Sequence, residues 1–305
     1  MQTQVFDRLG RKHFATPIEN VAAERDFNRV EIEGVAPDAF ENAMAGVESD
    51  LSRGIERIRA SGAFHTADDR ACLLNLIGLL HLRNPRHRET FRDFHERVAK
   101  RIMDLVVATP ERWAGQVAKA TKEGFLSPDA DTNYEKMKAF VREGEFSVET
   151  PTEQHITLEM ETFDKILPYL FGRGWMLVKA SEKSGGFVTS DHPVCLIWSD
   201  PPTGPGIRPI GLGLRGTEIV FPIFPRFAAI GAFELQGGDF DADEALVASI
   251  NGTIIAFAER QVYARDLNFH YRLREAEPAR KASRLISDPN FLRPGALASG
   301  VSPGS

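Results

Sequence analysis

The sequence predicts an α+β protein: a helical N-terminal half packed on an antiparallel sheet, with a late helix covering that sheet. Three observations predict it. From Pro37 onward the apolar residues fall three and four apart, the spacing of one helix face. At Gly174 the period changes, and WMLVKA, GFVTS, VCLIW, EIVFPI and FAAIGAFE follow as short runs rich in Val, Ile, Phe and Trp, bounded by Gly and Pro. Finally, Asp241 to Glu259 returns to helical spacing, with Leu246, Ile250, Ile254 and Phe257 on one stripe.

Residues 1–36 mix charge with short apolar pieces and are read as an arm or one or two edge strands. The stripe Phe40, Met44, Val47, Leu51, Ile55 and Ile58 makes Pro37 to Gly62 an amphipathic helix. Asp68 and Asp69 suit the positive N-terminus of the next helix, which runs to Leu82. Pro85 interrupts the helical pattern, so a kink or short break is expected before a long helix from Glu89 to Val107. Further helices are expected at Pro110–Glu123, Asn133–Glu143 and Glu153–Leu170, separated by Gly124, by Ser127-Pro128-Asp129 and by Thr150-Pro151. The strands after Gly174 are expected to be antiparallel, because most of their connections are too short for parallel crossovers. Pro193 and Pro222 belong at a strand edge or bulge, since proline has no N–H to give a ladder. Residues 37–291 are read as one integrated α+β domain and 292–305 as a disordered tail.

With 305 residues, 42% hydrophobic and 26% charged, the chain can bury one large core or two modest ones. A formal charge of -6 argues against a protein that coats DNA or other nucleic acid nonspecifically. Cys72 and Cys195 both sit in apolar runs and read as reduced, buried core residues, which points to a cytoplasmic protein. The opening MQTQVFDRLGRKHF lacks the apolar block of a secretory signal. Cys72 to Leu82, the longest apolar run, is interrupted by Asn75 and Gly78 and falls short of the roughly 20 residues of a membrane span, so no membrane partner is expected.

Two clusters carry candidate chemistry. At Thr189-Ser190-Asp191-His192-Pro193 a carboxylate and an imidazole sit at the rim of the predicted sheet, where they could serve acid/base work. The plainer reading is a turn in which Asp191 and Ser190 bind backbone amides ahead of a proline, and turn preference favours it. Without a Gly-x-Ser-x-Gly elbow, Ser190 is a poor nucleophile. The second cluster, His81, Arg83, Arg86, His87, Arg88, Arg92 and His95, is the densest set of cationic donors in the chain. Guanidinium groups pair with phosphate through two parallel hydrogen bonds, and a neighbouring histidine such as His87 can move a proton during RNA cleavage. Arg88 and His95 loosely resemble the Arg-to-His spacing of HEPN-type helical ribonucleases, although Glu89 replaces the usual polar residue and a sheet is foreign to that fold. The bland alternative is a solvated face paired with Glu89, Asp93 and Glu96.

Other patterns carry less. His155 and Glu159 lie one helical turn apart, but two ligands do not make a metal site. Gly211-x-Gly213-x-x-Gly216 matches a dinucleotide fingerprint in letters only, since a strand follows it, and no cofactor is named by the sequence. Asn251, inside the late helix stripe, is costly to bury unpaired and is read as a bridge between helix and sheet.

Taken in order, GVESDLSRGIE, HLRNPRHR, GWMLVKA, FVTSDHPV, FPIFP and SINGTIIAFAERQVYARD resemble an uncharacterised, mainly bacterial family, the domain-of-unknown-function family DUF4238. The resemblance spans roughly Ala22 to Asp266, and FVTSDHPV is its most specific piece. Longer members begin with a strand containing His, an aromatic residue and Pro, which this reading does not find here. The resemblance implies one integrated α+β unit and marks Ser190, Asp191, Pro193, Arg83, Pro85 and Asn251 as recurring elements, without implying a reaction. From the residues, one expectation is a phosphate-directed hydrolase, RNA-cleaving in one version, with Arg83 and Arg88 holding the anion and Asp191, His192 and His87 near the chemistry. The other is a non-catalytic binding protein whose arginine bend and strand corner recognise a small anionic ligand, RNA or a protein partner. Hydrolysis requires these groups to converge in one cleft.

Overall fold

The computed structural model describes residues 2–21, 39–127, 129–148, 152–200, 209–274 and 276–292, so the expected tail lies outside the described residues except for Leu292. The chain divides into two compact units, one made of Met1–Leu82 and Glu159–Ser305, the other of Arg83–Leu158. The elements in chain order are β1 (Gln2–Asp7), β2 (Lys12–Pro17), α1 (Ala39–Ser61), α2 (Ala67–Leu82), α3 (Pro85–Val106), α4 (Pro110–Lys122), α5 (Tyr134–Glu143) and α6 (Thr152–Phe171). They continue as β3 (Gly174–Ala180), β4 (Thr189–Ser190), β5 (Cys195–Trp198), β6 (Thr217–Phe224), β7 (Phe227–Ala232), β8 (Gly238–Ala242), α7 (Glu244–Phe257), β9 (Gln261–Ala264), β10 (His270–Tyr271), β11 (Arg280–Lys281) and α8 (Pro289–Leu292). The class is α+β, a helical first half followed by sheets.

The first unit is built on a five-stranded sheet of order β5-β6-β7-β3-β8. Side chains alternate across a strand, so each strand feeds two cores. Trp175 and Leu177 of β3, with Ile219 and Phe221 of β6, pack against Ile55 and Ile58 of α1, Leu73, Leu74 and Ile77 of α2, and Leu170 of α6. Val178 and Ala180 of the same β3, with Val220 of β6, pack on the other face against Val247, Ile250 and Ile254 of α7. Each such fully buried aliphatic or aromatic side chain contributes about 1.5–3 kcal/mol, which is why helices form on both faces.

Among the described residues the sheet departs from the antiparallel expectation at one strand. β8 pairs parallel with β3, from Met176 opposite Gly238 to Ala180 opposite Ala242. The chain between them contains β4 to β7, ample length for the crossover that a parallel pair needs. Pro193 lies outside the strands, between β4 and β5. Pro222 sits where the β6–β7 register shifts, and β5 stops pairing with β6 at Val220, so the missing N–H of Pro222 falls at a bulge.

A second sheet has the order β2-β1-β9-β4. Here β2 is an edge strand, whereas β1 lies between β2 and β9, paired antiparallel to both. Val5 and Phe6 of β1 are buried. Cys195 is buried as expected, while Cys72, which lies against Gly54 of α1, is only half-buried; both are free thiols.

In the second unit Pro85 is the first residue of α3, so the proline starts the helix where its missing N–H has no intrahelical partner. Pro110 does the same in α4 beneath a Thr109 cap, and Asn133 caps α5. The Trp113 indole N–H donates to Thr132 O at 2.7 Å and the Tyr134 hydroxyl to Val107 O at 3.1 Å. Among the described residues of this unit, only Asn84, Val107, Val141 and His155 are fully buried. No helix among the described residues is long and apolar enough to cross a membrane.

Candidate functional site

The corner after β4 is held by hydrogen bonds that begin with Asp191. β4 pairs with β9, which places Asp191 opposite the turn joining α7 to β9. Asp191 Oδ1 accepts the backbone N–H of Glu259 at 2.9 Å, and Oδ2 accepts those of Arg260 and Gln261, each at 2.8 Å. Its own N–H donates to Gln261 O at 3.1 Å. A carboxylate bound to three amides at once closes a turn. Ser190 is buried and its Oγ accepts the N–H of His192 at 3.2 Å, a local turn bond. Ser190 makes the expected local turn bond, whereas Asp191 binds amides 68 to 70 residues further along, in the turn between α7 and β9.

His192 is buried, its ring edge-on to Phe257 with centroids 5.6 Å apart. Among the described residues Nδ1 is enclosed without a hydrogen-bond partner, and Glu259 Oε1 stands 3.8 Å away, too far for a hydrogen bond. Asn251 is fully buried and satisfied three times: Oδ1 accepts from Val188 N at 3.0 Å, and Nδ2 donates to Gly186 O at 3.0 Å and His270 O at 2.8 Å. It ties α7 to the strand segment before β4 and to β10.

Beside the corner stand three residues that sequence reasoning missed: Asp7, Arg8 and Arg260. Asp7 is fully buried; its Oδ2 accepts Nη2 of Arg260 at 2.8 Å and Nε at 3.1 Å, and its Oδ1 accepts Gly10 N–H at 2.7 Å. Burial raises its pKa, but hydrogen bonds from Arg260, Gly10 and Gln261 and the nearby guanidinium charge outweigh this and bring it down to about 2. Arg8 donates to Ala258 O at 2.5 Å and Ile255 O at 2.9 Å, and lies over the Phe291 ring at 4.8 Å. It caps the C-terminal carbonyls of α7, where a cation complements the helix dipole. Burial lowers the Arg8 pKa, opposed by Asp191 and Glu259. The adjacent Asp7-Arg8 pair following the apolar Val5-Phe6 was the one available signal, and nothing in it named partners at 255–261.

The arginine cluster belongs to the second unit and the corner to the first. Arg83 precedes α3 and Arg88 lies in it, both half-buried; the side chain of His87 lies outside the described residues. The first turn of α3 contains no acidic residue. His155 and Glu159 are both buried residues of α6. Among the described residues no three His, Cys, Asp or Glu side chains cluster as metal ligands would. Gly211 to Gly216 leads into strand β6.

Two surface clefts lie elsewhere. One, of about 320 Å³, is lined by Lys179, Ser181, Glu182, Arg226 and Asp241 at the ends of β3 and β8. The other, of about 460 Å³, lies between α3 and α4. Neither is lined by Ser190, Asp191 or His192.

Comparison with curated proteins and with solved structures gave no match. A family model matches residues 1–268, beginning earlier than the resemblance read from the sequence. The matched opening includes strands β1 and β2. With the four- and five-stranded sheets, the corner and the start of α3 inside the match, the chain belongs to the family described as Protein of unknown function (DUF4238).

Proposed function

We propose that the chain is a non-catalytic binding protein that recognises an anionic ligand, a phosphate group of a small molecule or of RNA, through the start of α3. The observation that supports this is the first turn of that helix, Pro85-Arg86-His87-Arg88, which holds no carboxylate. Cations at a helix N-terminus oppose its dipole at a cost of about 0.3–1 kcal/mol each. An anion resting on the N–H groups there reverses that cost. The hydrolase reading is less well supported, because the Asp191 carboxylate already accepts three backbone amides.

Calorimetry of the full chain with inorganic phosphate and with a short RNA tests the proposal. Saturable binding is expected, weakened about tenfold or more in Arg88→Ala, since a hydrogen bond to a charged group contributes roughly 1.5–3 kcal/mol. Absence of saturable binding overturns it. Turnover of the RNA that is lost in His87→Ala or His192→Ala would restore the hydrolase.

A further inference from the structure

We propose that the outward stripe of α3, together with the groove beside α4, docks an acidic amphipathic helix of another protein. α3 carries two apolar stripes. The inner one, Phe91, Ala99, Met103 and Val106, is half-buried, and Phe91 meets the His155 ring edge-on with centroids 5.5 Å apart. The outer one is Phe94, Val98, Ile102 and Leu105, exposed to 54%, 38%, 53% and 53%. Spacings of three and four place these four side chains along one line of the helix. Single exposed apolar residues are ordinary, but a line of four opening into a groove marks an interaction surface.

The groove is lined by Ile102, Leu105, Val106, Arg112, Gly115 and Gln116. At Gly115 an added Cβ would meet nothing within 4 Å, so a partner side chain can approach the α4 backbone there. A concave apolar track between two helices suits a helix laid into it, recognised through anchors at helical spacing.

Charge selects among the occupants. Arg97 and Arg101 lie three residues after Phe94 and Val98, along the rim of the stripe, and Arg112 lines the groove. On this helix Arg92 pairs with Glu89 and Lys100 with Glu96, whereas among the described residues Arg97 and Arg101 join no ion pair. Two copies packed stripe to stripe and antiparallel would set these arginines against their own images, which is unfavourable. An anionic bilayer fits less well than a helix, because the surface is grooved. A helix with Asp or Glu flanking its apolar stripe complements both features. This surface is separate from the phosphate reading at the start of the helix.

The test uses the full chain and two labelled synthetic helical peptides with the same Leu stripe, one flanked by Glu and one by Lys, followed by fluorescence anisotropy. The Glu peptide is expected to bind at least about tenfold more tightly. Ile102→Asp abolishes that binding, and the double variant Arg97→Glu with Arg101→Glu reverses the preference; all three positions are exposed, and circular dichroism verifies that the variants stay folded. Equal affinity for both peptides, or binding of neither, overturns the proposal. So does self-association in sedimentation, or binding to phosphatidylserine vesicles, that Ile102→Asp removes.

Discussion

Replacing Asp191 by alanine tests the assignment of the corner as a structural clamp. The variant loses one acceptor for Glu259 N–H and one shared by Arg260 and Gln261 N–H. At about 1.5–3 kcal/mol for each hydrogen bond to a charged group, three independent bonds would total roughly 4.5–9 kcal/mol. The amides of Glu259 and Arg260 are bound on the exposed side and regain water, whereas that of Gln261 is partly buried. Discounting the first two leaves an expected loss of about 2–4 kcal/mol. At roughly 2–4 °C per kcal/mol for a unit of this size, Tm falls by about 4–16 °C. Asp191→Asn keeps one oxygen acceptor and should fall between alanine and wild type. Thermal unfolding followed by circular dichroism reads both variants. A Tm for Asp191→Ala within about 1 °C of wild type would refute the clamp, and with it the argument against Asp191 as a catalytic base.

Paired glycine substitutions in α1 should have opposite signs. Gly46→Ala meets nothing within 4 Å and should stabilise by about 0.5–1 kcal/mol, whereas a Cβ at Gly54 would stand 2.4 Å from Cys72 Cβ, so Gly54→Ala destabilises in the same urea titration. Acid stability should depend on Asp7: its pKa is lowered from 3.8 to about 2 in the folded protein, so its contribution is complete above pH 3.8 and disappears as pH falls through about 2. Asp7→Asn should therefore lose stability at neutral pH and show a shallower acid transition; an unchanged acid profile contradicts the buried pair. In native protein a maleimide should label Cys72 ahead of Cys195, which is wholly buried and whose thiol pKa is pushed far up by that burial, and equal rates would show the assignment to be wrong.

Helices were legible because their spacing and punctuation are local. The Leu51, Ile55 and Ile58 stripe and the Pro110 start depend on residues a few positions apart, and the structure places α1 to α6 close to the expected spans, except that α3 begins at Pro85, read as a break, instead of at Glu89. β8 was not legible: Gly-Asp-Phe-Asp-Ala is acidic and mostly exposed, and it becomes a strand through pairing with β3. Turn chemistry at Ser190 and Asp191 could be anticipated from residue type. The amides that Asp191 binds lie 68 to 70 residues further along, and no local pattern names them. Arg8 was hidden for the same reason, since its carbonyl partners at Ile255 and Ala258 are 247 and 250 residues away.

The position of β1 between β2 and β9 bears on the order of assembly. Val5 is made long before its neighbour Tyr263, which follows more than two hundred positions later. The hairpin of β1 and β2 can close early, but alone it is marginal, as two-stranded hairpins are. Its inner edge stays open until the segment after α7 emerges. At about 5–20 residues per second that wait lasts roughly 13–50 s, during which Val5 and Phe6 have no β9 to cover them. The charged and polar neighbours Gln2, Gln4, Asp7 and Arg8 break up this apolar stretch, which limits its capacity to pair with the wrong strand while synthesis continues.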